Sequence, residues 1–170
     1  ILDEPVLLFR SDAGQPVALE DRCCHRHLPL SEGRLVGDTV QCGYHGLTFD
    51  FDGKCVSVPG QAAIPPNAQV TSYPVVERYR WVWIRIGEPS LADEALIPDY
   101  HWNDDPEWVA YGDVYHVEGD YRLLIDNLLD LSHIQFLHAS TLGAGTDVDA
   151  TITVERGDNS VMVSRWVLDT

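Results

Sequence analysis

The first half of the chain is written in short apolar runs separated by polar or turn-forming residues. Val6–Phe9, Val17–Glu20, Val40–Cys42, Leu47–Phe49, Cys55–Val58, Tyr73–Glu77 and Trp81–Ile86 are rich in β-branched and aromatic side chains and too short for helices. Turn signals such as Asp12-Ala13-Gly14 and Asp52-Gly53 fall between them. Many short strands at close spacing predict a small antiparallel sandwich or barrel over residues 1 to about 90. The pattern then changes. From Tyr121 to Leu131, Leu124, Leu128 and Leu131 recur at helical spacing, with Asp120 placed to cap the first turn. Further on, Ile152–Glu155 and Val161–Leu168 flank Arg156-Gly157-Asp158-Asn159, a hairpin signal. The fold class expected is α+β: an antiparallel β domain with its connection over 1–105, then the start of an α+β domain over 106–170.

Charge narrows the range of partners. Lys and Arg number 11 and Asp and Glu 27, a net charge of −16, which argues against nucleic acid because phosphate binding needs clustered cations. Ten of the acids fall between Gly87 and Tyr121, a stretch without Lys or Arg. Together with Pro89, Pro98 and Pro106 it reads as a solvated surface connection between domains. No run approaches the ~18 apolar residues of a membrane span, and no secretory signal is visible, so a cytoplasmic protein is expected. The chain opens on Ile1 and closes inside what reads as a strand, so a longer parent protein is expected.

The cysteines and histidines carry the chemistry. Cys23-Cys24-His25-Arg26-His27 is followed, with sixteen residues between His25 and Cys42, by Cys42-Gly43-Tyr44-His45. Read as C-x-H and C-x-x-H, this gives two short loops that each offer one thiolate and one imidazole. A zinc knuckle tends to keep its two cysteines together and its two histidines together. The mixed pairing suits a two-iron cluster in which one iron takes Cys23 and Cys42 and the other takes His25 and His45, the Rieske form of [2Fe–2S]. Neutral imidazoles in place of two thiolates make such a cluster easier to reduce. Cys24 with His27 would also read as C-x-x-H, although Cys23 with His25 is preferred. Cys55 reads only as a small buried residue in a strand.

A second constellation lies on the helical stretch, where Asp126 to His138 spells D-x-x-x-D-x-x-H-x4-H. On one continuous helix, residues five apart point about 140° away from each other. His133 and His138 can therefore share a metal only if the helix is bulged or broken between them. Asp130, one turn before His133, is placed for its carboxylate to receive an imidazole N–H. Two His with a carboxylate on one face is the general form of a non-haem Fe(II) site that leaves positions open for O₂.

Cys23 to Asp50 resembles the cluster-binding segment of the Rieske oxygenases, closest to the vanillate O-demethylase and dicamba demethylase branch, and Asp120 to Gly143 resembles the iron-binding helix of that branch. The branch usually has Pro where this chain has Cys24, and a residue other than His at 27. The resemblance implies a Rieske domain followed by a helix-grip-like catalytic domain. By motif it implies His133 and His138 as ligands of a mononuclear Fe(II), and Asp130 as a carboxylate bridging His133 to a cluster histidine, His45 or His25, of a neighbouring subunit in a homotrimer. The third iron ligand is expected beyond residue 170, since nothing nominates Asp147, Asp149 or Asp158. The activity implied is O₂-dependent hydroxylation and O-demethylation of a methoxybenzoate-like aromatic. Electrons would come from NAD(P)H through a reductase or ferredoxin. A Rieske electron carrier without catalysis and a zinc-stapled binding module are the alternatives. Arg22, Arg26 and Arg34 flank the cysteine–histidine loops, either in ordinary salt bridges or as a docking face for an acidic electron donor.

Overall fold

The computed structural model describes residues 3–141 and 150–166, which fall into two compact units, Ile1–Gly112 and Asp113–Thr170. The fold is α+β, with every strand pairing antiparallel.

In the first unit, β1 (Val6–Arg10) folds back on β2 (Pro16–Glu20) through the expected Asp12–Gly14 turn. Strands β3 (Arg34–Val36), β4 (Thr39–Gln41), β5 (Thr48–Phe49) and β6 (Cys55–Ser57) form a sheet in that order. A hairpin of β7 (Val75–Arg78) and β8 (Trp81–Ile84) completes the set. The expected sandwich is thus divided into small sheets, joined by the isolated bridges Leu19↔Ser72 and Lys54↔Gln69. Strand β3 was absent from the hydrophobic pattern for a physical reason. It is an edge strand exposed at all its positions, so no alternation marks it.

The core of this unit gathers around Phe49, Leu19, Leu30, Val40 and Cys23, all fully buried. Each large apolar side chain taken from water contributes roughly 1.5–3 kcal/mol. Cys55 sits in the same core, as its strand position suggested. Cys23 and Cys42 are core residues too, so the cysteine–histidine loops are anchored in the interior while their histidines stay exposed.

The acidic stretch has a local structural function. Carboxylates of Glu88, Asp93, Asp99 and Asp105 each accept from the backbone N–H two residues on, at Ser90 (3.4 Å), Ala95 (2.9 Å), His101 (3.0 Å) and Glu107 (2.9 Å). Four acids thereby tie off turns that would otherwise leave N–H groups unsatisfied. The connection is a chain of capped 3-10 turns, not a free linker.

In the second unit, α1 (Tyr121–Leu129) starts at Asp120, whose carboxylate accepts from Arg122 N–H at 2.9 Å, as expected of the cap. Helix α1 ends at Asp130, where the backbone leaves helical space (φ −85°, ψ 89°). A 3-10 turn over Leu131–His133 and a single turn of α-helix, α2 (Ile134–Leu137), follow. Strands β9 (Ile152–Arg156) and β10 (Val161–Arg165) form the expected hairpin. The last residues of the strand expected over Val161–Leu168 lie outside the described residues, as do Asp147 and Asp149. Among the described residues, no helix is long and apolar enough to cross a membrane.

Candidate metal centres

The two cysteine–histidine loops are built alike. In one, Cys23 N–H donates to the Leu28 carbonyl at 2.9 Å and His27 N–H to the Cys23 carbonyl at 2.9 Å. In the other, Cys42 N–H donates to the Leu47 carbonyl at 2.8 Å and Gly46 N–H to the Cys42 carbonyl at 3.1 Å. Each chain turns back through a left-handed residue, His27 at φ 58° and Gly46 at φ 76°. His27 therefore occupies the turn-closing position that glycine fills in the sister loop. A side chain there costs roughly 1–2 kcal/mol that glycine avoids.

This repeat separates the adjacent cysteines. Cys23 is buried with its thiol within hydrogen-bonding reach of Cys42. Cys24 points elsewhere: its sulfur meets the backbone of Gln69, and its main sulfur neighbour is Cys55. At the surface, the His25 and His45 rings meet edge to face with centroids 4.6 Å apart, and Tyr44 lies over His45 at 3.9 Å. The structure thus brings Cys23 to Cys42 and His25 to His45, and leaves Cys24 and His27 out of both pairs.

Burial pushes the Cys23 thiol up to about 11, and the neighbouring Cys42 sulfur adds to the rise. A metal bound by the Cys23 sulfur would have to displace its proton. Among the described residues, no three His, Cys, Asp or Glu side chains converge as a site for one ion. The two sulfurs lie in the interior and the two imidazoles at the surface.

In the second unit, the His133 and His138 rings also meet edge to face, with centroids 5.4 Å apart. As the spacing required, the backbone between them is not one regular helix: a 3-10 turn gives way to a single α-turn after His133, and that turn unwinds at His138. His133 ends the 3-10 turn, and His138 has already unwound from α2 (φ −112°, ψ 26°). The five-residue spacing is therefore not read along one regular helix. His133 Nδ1 bonds the backbone carbonyl of Asp130. A carbonyl only accepts, so Nδ1 is the donor in this bond, and Nε2 is the nitrogen left for a metal. The Asp130 carboxylate meets Ser132 instead: Oδ1 accepts from its N–H at 3.0 Å and its hydroxyl at 2.5 Å. These bonds hold the Asp130 carboxyl below the usual carboxylate range.

Two family models match the chain: the Rieske [2Fe-2S] domain over residues 1–74, and the vanillate O-demethylase oxygenase C-terminal domain over 117–170. The chain belongs to the Rieske oxygenase family. Over 172 residues it is 46% identical to the toluene-4-sulfonate monooxygenase system iron–sulfur subunit of Comamonas testosteroni, covering 99% of this chain and 50% of that protein. It is 46% identical over 157 residues to the dicamba O-demethylase oxygenase component of Stenotrophomonas maltophilia, covering 92% of this chain and 45% of that one. A crystal structure of dicamba monooxygenase bound to 3,6-dichlorosalicylic acid superposes with a TM-score of 0.83 at 42% identity, covering 96% of this chain and 48% of that one. The chain spans about half the length of the curated relatives it matches.

The Rieske domain also depends on two residues that the ligand motif does not name. A Cβ on Gly33 would lie 2.2 Å from the Gln41 carbonyl oxygen, and one on Gly43 would lie 2.7 Å from that of Glu32. The segments carrying the loops thus touch backbone to backbone, and neither neighbour is a side chain that could swing aside. Gly33→Ala is expected to force the segments apart and cut cluster incorporation several-fold, read as visible absorbance per chain after reconstitution. Wild-type loading in that variant would show that the close approach is not needed. The spacing of glycines around the motif was the only sequence signal for this contact.

Proposed function

We propose that this chain is part of the oxygenase component of a cytoplasmic Rieske non-haem iron monooxygenase that O-demethylates a methoxybenzoate-like aromatic. Its electron source would be NAD(P)H, through a reductase or ferredoxin, and its assembly a homotrimer. The observation that carries this reading is the joint presence of two histidine pairs, one backed by buried thiols and one on a broken helix. An electron carrier has no use for the second pair. A zinc-stapled module would require the four donors of the first pair to surround one ion.

In this reading Cys23 and Cys42 hold one iron of the [2Fe–2S] cluster, His25 and His45 hold the other, and His133 and His138 hold the mononuclear Fe(II). When bound, the cluster supplies single electrons, and the mononuclear iron supplies the O₂ chemistry that oxidises a substrate C–H bond. The protein's contribution is placement. Burial of Cys23 and Cys42 screens the sulfur side from water, while His25 and His45 face out toward a partner. The Asp130 carbonyl fixes the tautomer of His133. With Ser132 on Oδ1, the Asp130 carboxylate stays ionised at neutral pH and retains Oδ2 to receive an imidazole N–H from a neighbouring subunit's cluster. The Rieske domain with its connection is assigned to 1–105 and the catalytic domain to 106 onward. The compact first unit runs on to Gly112, seven residues past that assignment.

The test is turnover. Supplied with NADH, O₂ and a surrogate reductase, the protein should release formaldehyde from at least one member of a panel of methoxylated benzoates, in step with substrate loss. Electron flow through the protein with no product from any member would favour the carrier reading.

A further inference from the structure

The turn that carries His133 is too short to hold its own shape. Helix α1 stops at Asp130, the 3-10 turn that follows spans three residues, and α2 spans four. Isolated helical segments shorter than about 12 residues are marginal in water. None of residues 130–138 is buried among the described residues, so packing within the chain adds little. Most of the bonds here are local. The Asp130 carboxylate takes the N–H and hydroxyl of Ser132, the Asp130 carbonyl takes His133 Nδ1, and His138 N–H donates to the Ile134 carbonyl at 2.9 Å. These bonds shape the turn without attaching it to the rest of the unit.

Attachment comes from the hairpin. Arg165 is the last residue of β10, paired with Ile152, and its side chain is half-buried. Its Nη1 donates to the Leu131 carbonyl at 3.3 Å and its Nη2 to Gln135 Oε1 at 3.5 Å. Among the described residues, these are the hydrogen bonds that tie the turn to a strand. Leu131 lies two residues before His133 and Gln135 two residues after it, so the bonds bracket the histidine. A guanidinium is planar and rigid, and both acceptors are held by one such group. A shift of Leu131 relative to Gln135 must therefore break one of the two bonds.

We propose that Arg165 is a positioning residue for the second metal centre: its fork holds the turn so that the imidazoles of His133 and His138 face one ion. The inference rests on the proposed function, since it presumes iron at this pair. It adds a strand residue outside the ligand motif, which acts through Leu131 and Gln135 and touches no metal. The place demands a fork and not merely a charge. Lysine would keep the charge and the apolar stem, but its single ammonium on a flexible chain cannot hold both acceptors in one geometry.

The test titrates the cluster-loaded protein with Fe(II) against a chromophoric chelator, then examines the bound iron as its nitric oxide adduct by electron paramagnetic resonance. Arg165→Lys should weaken Fe(II) binding at the second centre about tenfold and replace one sharp nitrosyl spectrum with overlapping ones. Gln135→Met leaves Arg165 its bond to the Leu131 carbonyl and should cause a smaller loss in the same direction. Both changes break one fork, so the double variant should bind no more weakly than Arg165→Lys alone. Arg156→Lys, on β9 of the same hairpin and without a bond to the turn among the described residues, should match wild type. Far-UV circular dichroism and the visible spectrum of the cluster should be unchanged in every variant, which a general loss of folding would not allow. Wild-type affinity with an unchanged nitrosyl spectrum in Arg165→Lys would overturn this inference and leave the proposed function standing, as would losses that simply add in the double variant. If Arg165→Lys fails to fold, Gln135→Met decides in its place, and wild-type affinity there overturns the inference. A wild-type protein whose Fe(II) binding is untouched by His133→Ala would overturn the proposed function, and this inference with it.

Discussion

Cys42→Ser should yield a colourless protein without acid-labile sulfide. Cys42 is 3% exposed and faces Cys23 inside the core. Serine preserves the size of the side chain and the bond from N–H to the Leu47 carbonyl. What it removes is a soft thiolate, for which a hydroxyl that does not ionise at neutral pH is no substitute as an iron ligand. The neighbouring cysteines supply the controls. Cys24→Ala and Cys55→Ala alter sulfurs outside the pair, so both should keep the colour at some cost in stability, of order 1 kcal/mol for a small core truncation. Colour retained in Cys42→Ser, or lost in Cys24→Ala but not in Cys23→Ala, would mean that the paired sulfurs are not the ligands. The pH dependence of reconstitution has a definite sign. Because burial raises Cys23 to about 11, loading of the iron-free protein must displace protons and should quicken as pH rises through the neutral range.

The second large effect is expected at His133. His133→Ala should leave the visible spectrum intact, lower iron from about three to about two per chain, and take turnover below detection. The spectrum survives because His133 belongs to the second compact unit and the cysteines to the first. Turnover fails because His133 is the imidazole whose tautomer is fixed, with Nδ1 on the Asp130 carbonyl and Nε2 free. Asp130→Asn separates the two functions assigned to this aspartate. Asparagine retains the backbone carbonyl and an oxygen for Ser132, so both metals should stay bound. It loses the charge that would bridge to the next subunit, and transfer between the centres should slow by about tenfold or more. Wild-type turnover in His133→Ala would refute the iron assignment. Wild-type transfer in Asp130→Asn would refute only the bridge.

Features of the chain were legible in sequence to the degree that local patterning encodes them. Strands β1, β2 and β8 announced themselves because β-branched and aromatic runs stood between turn signals. The edge strand β3 has no buried face to mark it and was invisible. The acidic stretch could be counted but not interpreted, because what gives Asp93 or Asp99 its place is a bond to an N–H two residues later. A carboxylate reads the same in sequence whether it caps a turn or only faces water.

The cysteine–histidine loops were legible because ligand identity and spacing are chemical constraints. Choosing between Cys23 and Cys24 was harder, since adjacent residues satisfy nearly the same spacing. The matching backbone bonds of the two loops, and the left-handed turn shared by His27 and Gly46, exist only in three dimensions. The His133–His138 pair shows the opposite limit. Regular helical geometry set the rings apart, and the changes of backbone after His133 and at His138 bring them together.

The central claim is that buried thiolates and exposed imidazoles in the Rieske domain share one two-iron group. Pulsed electron paramagnetic resonance of the reduced protein, with histidine labelled by ¹⁵N, tests this most directly alongside iron and sulfide counts. The account predicts about two acid-labile sulfides per chain and strong coupling of the cluster spin to two histidine nitrogens, one lost in His25→Cys and the other in His45→Cys. A cluster spin without histidine nitrogen coupling, or stoichiometric zinc without sulfide, would contradict it.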